Sequence, residues 1–184
     1  IASDLKLTAT VTDADGDSVT HDLNLGASIF SIKDDGPSIT TGNVGVADTL
    51  MVDETTLSTD ATANFADNFT SAINYGADGA GSTAYSLSLS SASVASGLYA
   101  LGTGAGVQGT EITMTQTGNT ITGSAGGTDY FTIAINTSTG VVTLNQLAAI
   151  YHANENDPDD SSTLATAIAS DLKLTATVTD ADGD

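Results

Sequence analysis

The sequence predicts an all-β protein, an antiparallel β-sandwich, and three observations carry that expectation. Apolar and polar residues alternate with period two along several short runs, turn-forming residues separate the runs, and the polar face of each run is mostly Thr and Ser. Alternation with period two places every second side chain on one face of a strand, so such runs bury one side and wet the other. A parallel sheet covered on both faces would show continuous apolar runs instead. Short strands with regular turns and one-sided burial pack as two facing sheets.

The runs support this in order. In Leu5–Thr12 the odd positions are Leu, Leu, Ala and Val, and the even positions are Lys or Thr. Tyr85–Leu89, Ile112–Thr115 and Phe131–Ile135 alternate in the same way. Thr suits a pleated surface, and Ser is simply polar. Between the runs lie Asp15-Gly16-Asp17, Asp35-Gly36-Pro37, Asp78-Gly79, Thr117-Gly118-Asn119 and Thr139-Gly140, residue types that favour turns. One short helical segment, a turn or two, is expected at Leu144–Tyr151.

Composition narrows the function. The 184 residues carry 23 acidic against 3 basic side chains, a formal net charge of −20. So few cations cannot neutralise a phosphate backbone, which excludes nucleic acid as a partner. An anionic membrane surface would repel the chain, and no apolar run reaches the roughly 18 residues of a membrane-spanning helix. The absence of Cys removes disulfides and thiolate metal sites, leaving metal ions as the available staples.

The chain repeats itself. Ile1–Asp17 reads IASDLKLTATVTDADGD, and the same 17 residues return at Ile168–Asp184. Residue 168 repeating residue 1 sets a period of 167 residues, nearly the whole chain. The expectation is a parent built from near-identical modules and sampled here for slightly more than one period. Near-identical modules suit a task that depends on number, such as reach, better than a single catalytic centre.

The acidic residues cluster at turns. Asp13, Asp15 and Asp17 stand at alternate positions around Gly16, and Asp180, Asp182 and Asp184 repeat them around Gly183. Three carboxylates converging on one point repel each other, and a bound hard cation reverses that sign. Calcium, with six to eight oxygen ligands and tolerant geometry, is the expected ion. The loop is not an EF-hand: counting Asp13 as the first position, the sixth is Ser18 and the twelfth is Asn24. Asp34 and Asp35, Asp53 and Glu54, and the Asn154–Asp160 stretch with Glu155, Asp157 and Asp159 are further candidate ligands. Against this stands the preference of Asp, Asn and Gly for solvated turns with no ion at all.

With these residues in view, the chain resembles the tandem extender repeats of giant RTX adhesins, which biofilm-forming Gram-negative bacteria export by type I secretion. The resemblance rests on VDE at Val52–Glu54, SGLYAL at Ser96–Leu101 and STGVVTLNQLAAIYH at Ser138–His152. LTATVTDADGD at Leu7–Asp17 and KDDGPSI at Lys33–Ile39 complete it. It implies an immunoglobulin-like or cadherin-like sandwich with Greek-key character, placed outside the cell on a bacterial surface. A looser similarity to cadherin repeats implies that Asp34, Asp35, Glu54, Glu155, Asp157, Asp180 and Asp182 hold calcium between modules. DDGP replaces the longer linker of cadherins, and the glycine-rich nonapeptide that gives RTX proteins their name does not occur in this chain.

The expected role is a calcium-stiffened extender whose partners are neighbouring identical repeats. The alternative is a calcium-dependent carbohydrate- or peptide-binding module of the same adhesin. No enzyme is expected: His21 and His152 are the only histidines, and a chain with 5% aromatics and no Trp lacks the means to line a sugar cleft. For domains, residues 1–33 are expected to form the terminal hairpin of a preceding repeat. Residues 34–37 would be a linker, and 38–184 a sandwich lacking its last strand. The alternative phase makes 18–184 one full repeat. In the first phase the four linker residues reach only about 14 Å, so the hairpin is expected to complete a neighbouring copy head to tail.

Overall fold

In the computed structural model, residues 5–26, 29–154, 156–157 and 159–184 are described. The chain divides into two compact units, Ile1–Asp35 and Gly36–Asp184. Among the described residues, antiparallel β-strands make up most of the regular structure, and helical geometry is confined to short 3₁₀ turns.

The first unit is a hairpin of β1 (Lys6–Thr12) and β2 (Ser18–Asn24), with Leu7 opposite Leu23, Ala9 opposite His21 and Val11 opposite Val19. Its apolar face is uncovered. Leu7, Val11, Val19 and Leu23 are 59%, 67%, 71% and 60% exposed.

The second unit holds β3 (Ser38–Ile39), β4 (Ala61–Asn64), β5 (Ile73–Asn74), β6 (Ala80–Leu89), β7 (Val94–Leu101), β8 (Gln108–Thr117), β9 (Thr120–Ala125), β10 (Thr128–Ile135), β11 (Val141–Gln146) and β12 (Leu172–Asp180). Strands β7 to β11 run as a meander, and β4 adds to the β11 edge, making six antiparallel strands in the order β4-β11-β10-β9-β8-β7. Strand β6 pairs with β12, and β3 with β5. Gly126 and Gly127, with φ of 59° and 84°, make the two-residue link from β9 to β10. Two consecutive positive φ values are what a type I′ hairpin turn demands.

One core serves the second unit. Ile112, Met114 and Ile121 are fully buried at its centre, with Leu87 and Tyr85 from β6, Val94 and Leu98 from β7, and Phe131, Ile135 and Val142 around them. Leu172, Leu174 and Ala176 of β12 pack against it half-buried. Gly123 is glycine because a Cβ there would collide with the Phe131 ring. Buried Ser96 is satisfied: its hydroxyl donates to the Ile112 carbonyl at 2.6 Å and accepts the Leu98 N–H at 3.1 Å.

The alternating runs read from the sequence are strands, and the turn residues lie between them. The expected helical segment at Leu144–Tyr151 is not helical. Residues up to Gln146 belong to β11, and the backbone donors beyond it bond across the fold. Leu147 N–H goes to the Tyr130 carbonyl at 2.7 Å and Tyr151 N–H to the Tyr99 carbonyl at 2.8 Å. Helical propensity lost to these tertiary partners.

Because β1 and β12 share a sequence but differ in burial, equivalent substitutions should have unequal cost. Leu174→Ala is expected to destabilise the second unit by about 1–3 kcal/mol. Leu7→Ala should stay within about 0.5 kcal/mol. Urea unfolding followed by circular dichroism measures both.

Candidate metal centre

The centre is built by strand register. β12 lies antiparallel to β6 with Leu174 opposite Leu87 and Asp180 opposite Ala80, after a bulge at Thr179/Asp180. The turn after β12 therefore meets the loop before β6, and Ala181 N–H donates to the Gly79 carbonyl at 3.1 Å. Gly81 permits the approach, since a Cβ there would overlap the Asp180 carbonyl. These contacts bring Asp78, Asp180 and Asp182 together, with one carboxylate oxygen of each within 4.8 Å of the others. Two oxygens bound to a common calcium at about 2.4 Å lie at most about 4.8 Å apart, so the spacing suits a shared ion.

Asp180 is the anchor. It is 3% exposed, and its Oδ1 accepts the N–H groups of Gly183 at 3.1 Å and Asp184 at 2.9 Å. Its Oδ2 is buried with no hydrogen-bond partner among the described residues. A buried carboxylate oxygen without a partner carries a desolvation cost that a cation would remove. Burial pushes the Asp180 carboxyl pKa up, but the Asp182 carboxyl and the two N–H donors outweigh it, and the net shift is down. The side chain is therefore held as a carboxylate, the form a hard cation binds.

The first copy of the motif forms a second group. Asp13, Asp15 and Asp17 also bring their oxygens within 4.8 Å, but all three are exposed. The local turn is the same: Asp13 Oδ1 accepts Gly16 N–H at 3.2 Å and Asp17 N–H at 3.0 Å. Gly16 has φ 103° where Gly183 has 107°. Asp15, foremost, and the backbone donors hold the Asp13 pKa below its ordinary value. These acidic groups could each hold a metal ion.

The other candidates are placed differently. Asp53 accepts Thr55 N–H at 2.8 Å and caps the 3₁₀ turn Glu54–Thr56, a bond that lowers its pKa. Glu54 points inward. Its Oε1 accepts the Gln146 amide at 2.9 Å and the Ile150 N–H at 2.8 Å, and lies 3.3 Å from His152 Nε2. On its other side His152 meets Asp160, with Nδ1 3.4 Å from Oδ1. Asp157 Oδ1 accepts Asp159 N–H at 3.2 Å in an exposed turn. Asp34 and Asp35 lie exposed at the end of the first unit, and Asp184 is exposed beyond β12. Glu155 lies outside the described residues. Sequence reasoning missed Asp78, and took Asp160 only as the end of the Asn154–Asp160 acidic stretch. Asp78 was visible only as part of an Asp-Gly turn, and its role depends on the β6–β12 register.

Comparison with known proteins adds a family. The model of the family described as "Domain of unknown function (DUF5801)" matches residues 49–184. No curated protein and no solved structure matches the chain. Because that match spans well over half of the sequence, the chain belongs to the DUF5801 family.

Proposed function

We propose that the chain is a structural extender module of a large bacterial surface adhesin, stiffened by calcium at the module ends. The six-stranded sheet and the β6–β12 pair would pack as an immunoglobulin-like or cadherin-like sandwich. Its partners would be neighbouring identical repeats, and its task would be to project a distal ligand-binding region for attachment and biofilm formation. It would have no catalytic role.

The observation that carries this reading is the Asp78–Asp180–Asp182 group, whose central carboxylate is buried with one oxygen unpartnered. The exposed Asp13–Asp15–Asp17 group in the other copy of the repeat supports it. At −20 per chain, neighbouring modules would repel and their joints would flex. Calcium would neutralise part of that charge at the strand ends, where modules join. Extracellular calcium sites bind near 10⁻⁴–10⁻³ M. Such sites would stay empty in the cytosol and fill outside, so folding and stiffening would follow export by type I secretion.

Calorimetry of the whole chain should show calcium uptake in that affinity range. At about one hundred times Kd a single site adds about 2.7 kcal/mol. For a unit of this size that raises the melting temperature by roughly 5–10 °C over chelator. A melting curve unchanged between chelator and about 10–100 mM calcium, one hundred times such a Kd, would overturn the reading. Asp78→Asn and Asp180→Asn should each weaken one site about tenfold or more. Glu54→Ala should behave differently. It removes the acceptor of the Ile150 N–H and one of the two acceptors of the Gln146 amide, so it should cost about 1–3 kcal/mol in chelator as well as in calcium.

A further inference from the structure

Strands β1 and β12 have the same sequence, and each has one neighbour, yet they use opposite edges. In β1 the Leu5 carbonyl accepts Leu25 N–H at 2.8 Å, and Asp13 N–H donates to the Asp17 carbonyl at 2.9 Å. The backbone groups of one residue point to one edge of a strand and those of the next residue to the other. Leu5, Leu7, Ala9, Val11 and Asp13 therefore face β2. Their equivalents in the second copy are Leu172, Leu174, Ala176, Val178 and Asp180.

In β12 these positions face away from β6. Asp171, one residue out of phase with them, is the one that receives Ser90 N–H, at 3.0 Å. The β6 residues opposite Leu172, Leu174 and Ala176 send their backbone groups elsewhere. Leu89 N–H donates to Gln116 Oε1 at 3.1 Å, the Leu87 carbonyl accepts Gln116 Nε2 at 2.8 Å, and Tyr85 N–H donates to the Thr137 carbonyl at 2.8 Å. The edge that β1 gives to β2 is thus, in β12, without a strand neighbour among the described residues.

Side-chain direction agrees with the edge. Val19 and Leu23 lie opposite Val11 and Leu7 in the hairpin. On the open edge of β12 they would lie opposite Val178 and Leu174, on the face where Leu174 packs against the core. At present they are 71% and 60% exposed. A hairpin of two strands is marginal by itself, so β2 can exchange β1 for the identical β12, keeping an equivalent ladder and gaining burial over the core.

We propose that the open edge of β12 takes the Ser18–Asn24 strand of a second copy of this chain in place of that copy's own β1, antiparallel, with Thr177 opposite Thr20. This deepens the modular reading, on which it rests for the identity of the partner, and adds the edge and the register. Contact of this kind is head to tail and need not close into a ring.

Trans cross-linking tests it. The chain has no Cys, so Thr177→Cys in one chain and Thr20→Cys in another report a single pair. Their Thr10–Thr20 equivalent in the hairpin is a non-hydrogen-bonded pair, for which a Cα separation of about 4.5 Å permits a disulfide. Both positions are exposed, so folding should survive, as circular dichroism would verify. Mixed in millimolar calcium under mild oxidant, the two should give a disulfide-linked heterodimer several-fold more abundant than Thr177→Cys with Asn24→Cys. Adding Leu23→Asp to the donor should abolish it. Equal yields on and off register, or indifference to Leu23→Asp, would overturn the proposal. Calcium uptake by calorimetry without the cross-link would leave the extender reading standing, and the cross-link without calcium uptake would do the reverse.

Discussion

The second unit depends on one pairing, the antiparallel ladder between β6 and β12. It lays Leu172, Leu174 and Ala176 on the core beside Leu87 and Tyr85. The same register fixes the far end of the ladder, where Asp180 is drawn under the loop carrying Asp78. Core packing and carboxylate placement are therefore not separate achievements. A slip of one residue would turn the apolar face of β12 to water and separate Asp180 from Asp78.

The duplicated segment acts as an internal control. Local chemistry is the same in both copies: an Asp carboxylate accepts two N–H groups across a glycine with positive φ, and two further Asp side chains stand at alternate positions. In the hairpin that turn is exposed, and its three carboxylates are all its own. Behind β12 the first of the three is buried, and a residue about a hundred positions earlier in the chain joins the group. The motif supplies acid, and the neighbouring strand turns one carboxylate into a desolvated anchor.

Glu54 carries a structural load that its place in the sequence does not show. The resemblance to adhesin and cadherin repeats implied a ligand. In the fold its Oε1 gathers the Gln146 amide, the Ile150 N–H and the His152 ring at one point, tying the Glu54–Thr56 turn to the segment after β11. The same segment is where the sequence pointed to a helix. Leu144–Tyr151 has the composition for one, but its backbone donors had better-placed acceptors on other strands, and propensity is a weak prior against such partners.

Most strands were legible because alternation with period two is a property of the sequence itself and survives any tertiary arrangement. The Asp-Gly turns were legible for the same reason, since positive φ and side-chain-to-backbone bonds are local. The acidic groups were legible as motifs, so Asp13, Asp15, Asp17, Asp180 and Asp182 could be named from spacing alone. Which carboxylate is buried, that Asp78 joins it, and that β12 is covered while the identical β1 is not, are questions of long-range pairing. They were decided by the tertiary structure, because burial and register belong to the partner strand and one sequence can meet two different partners.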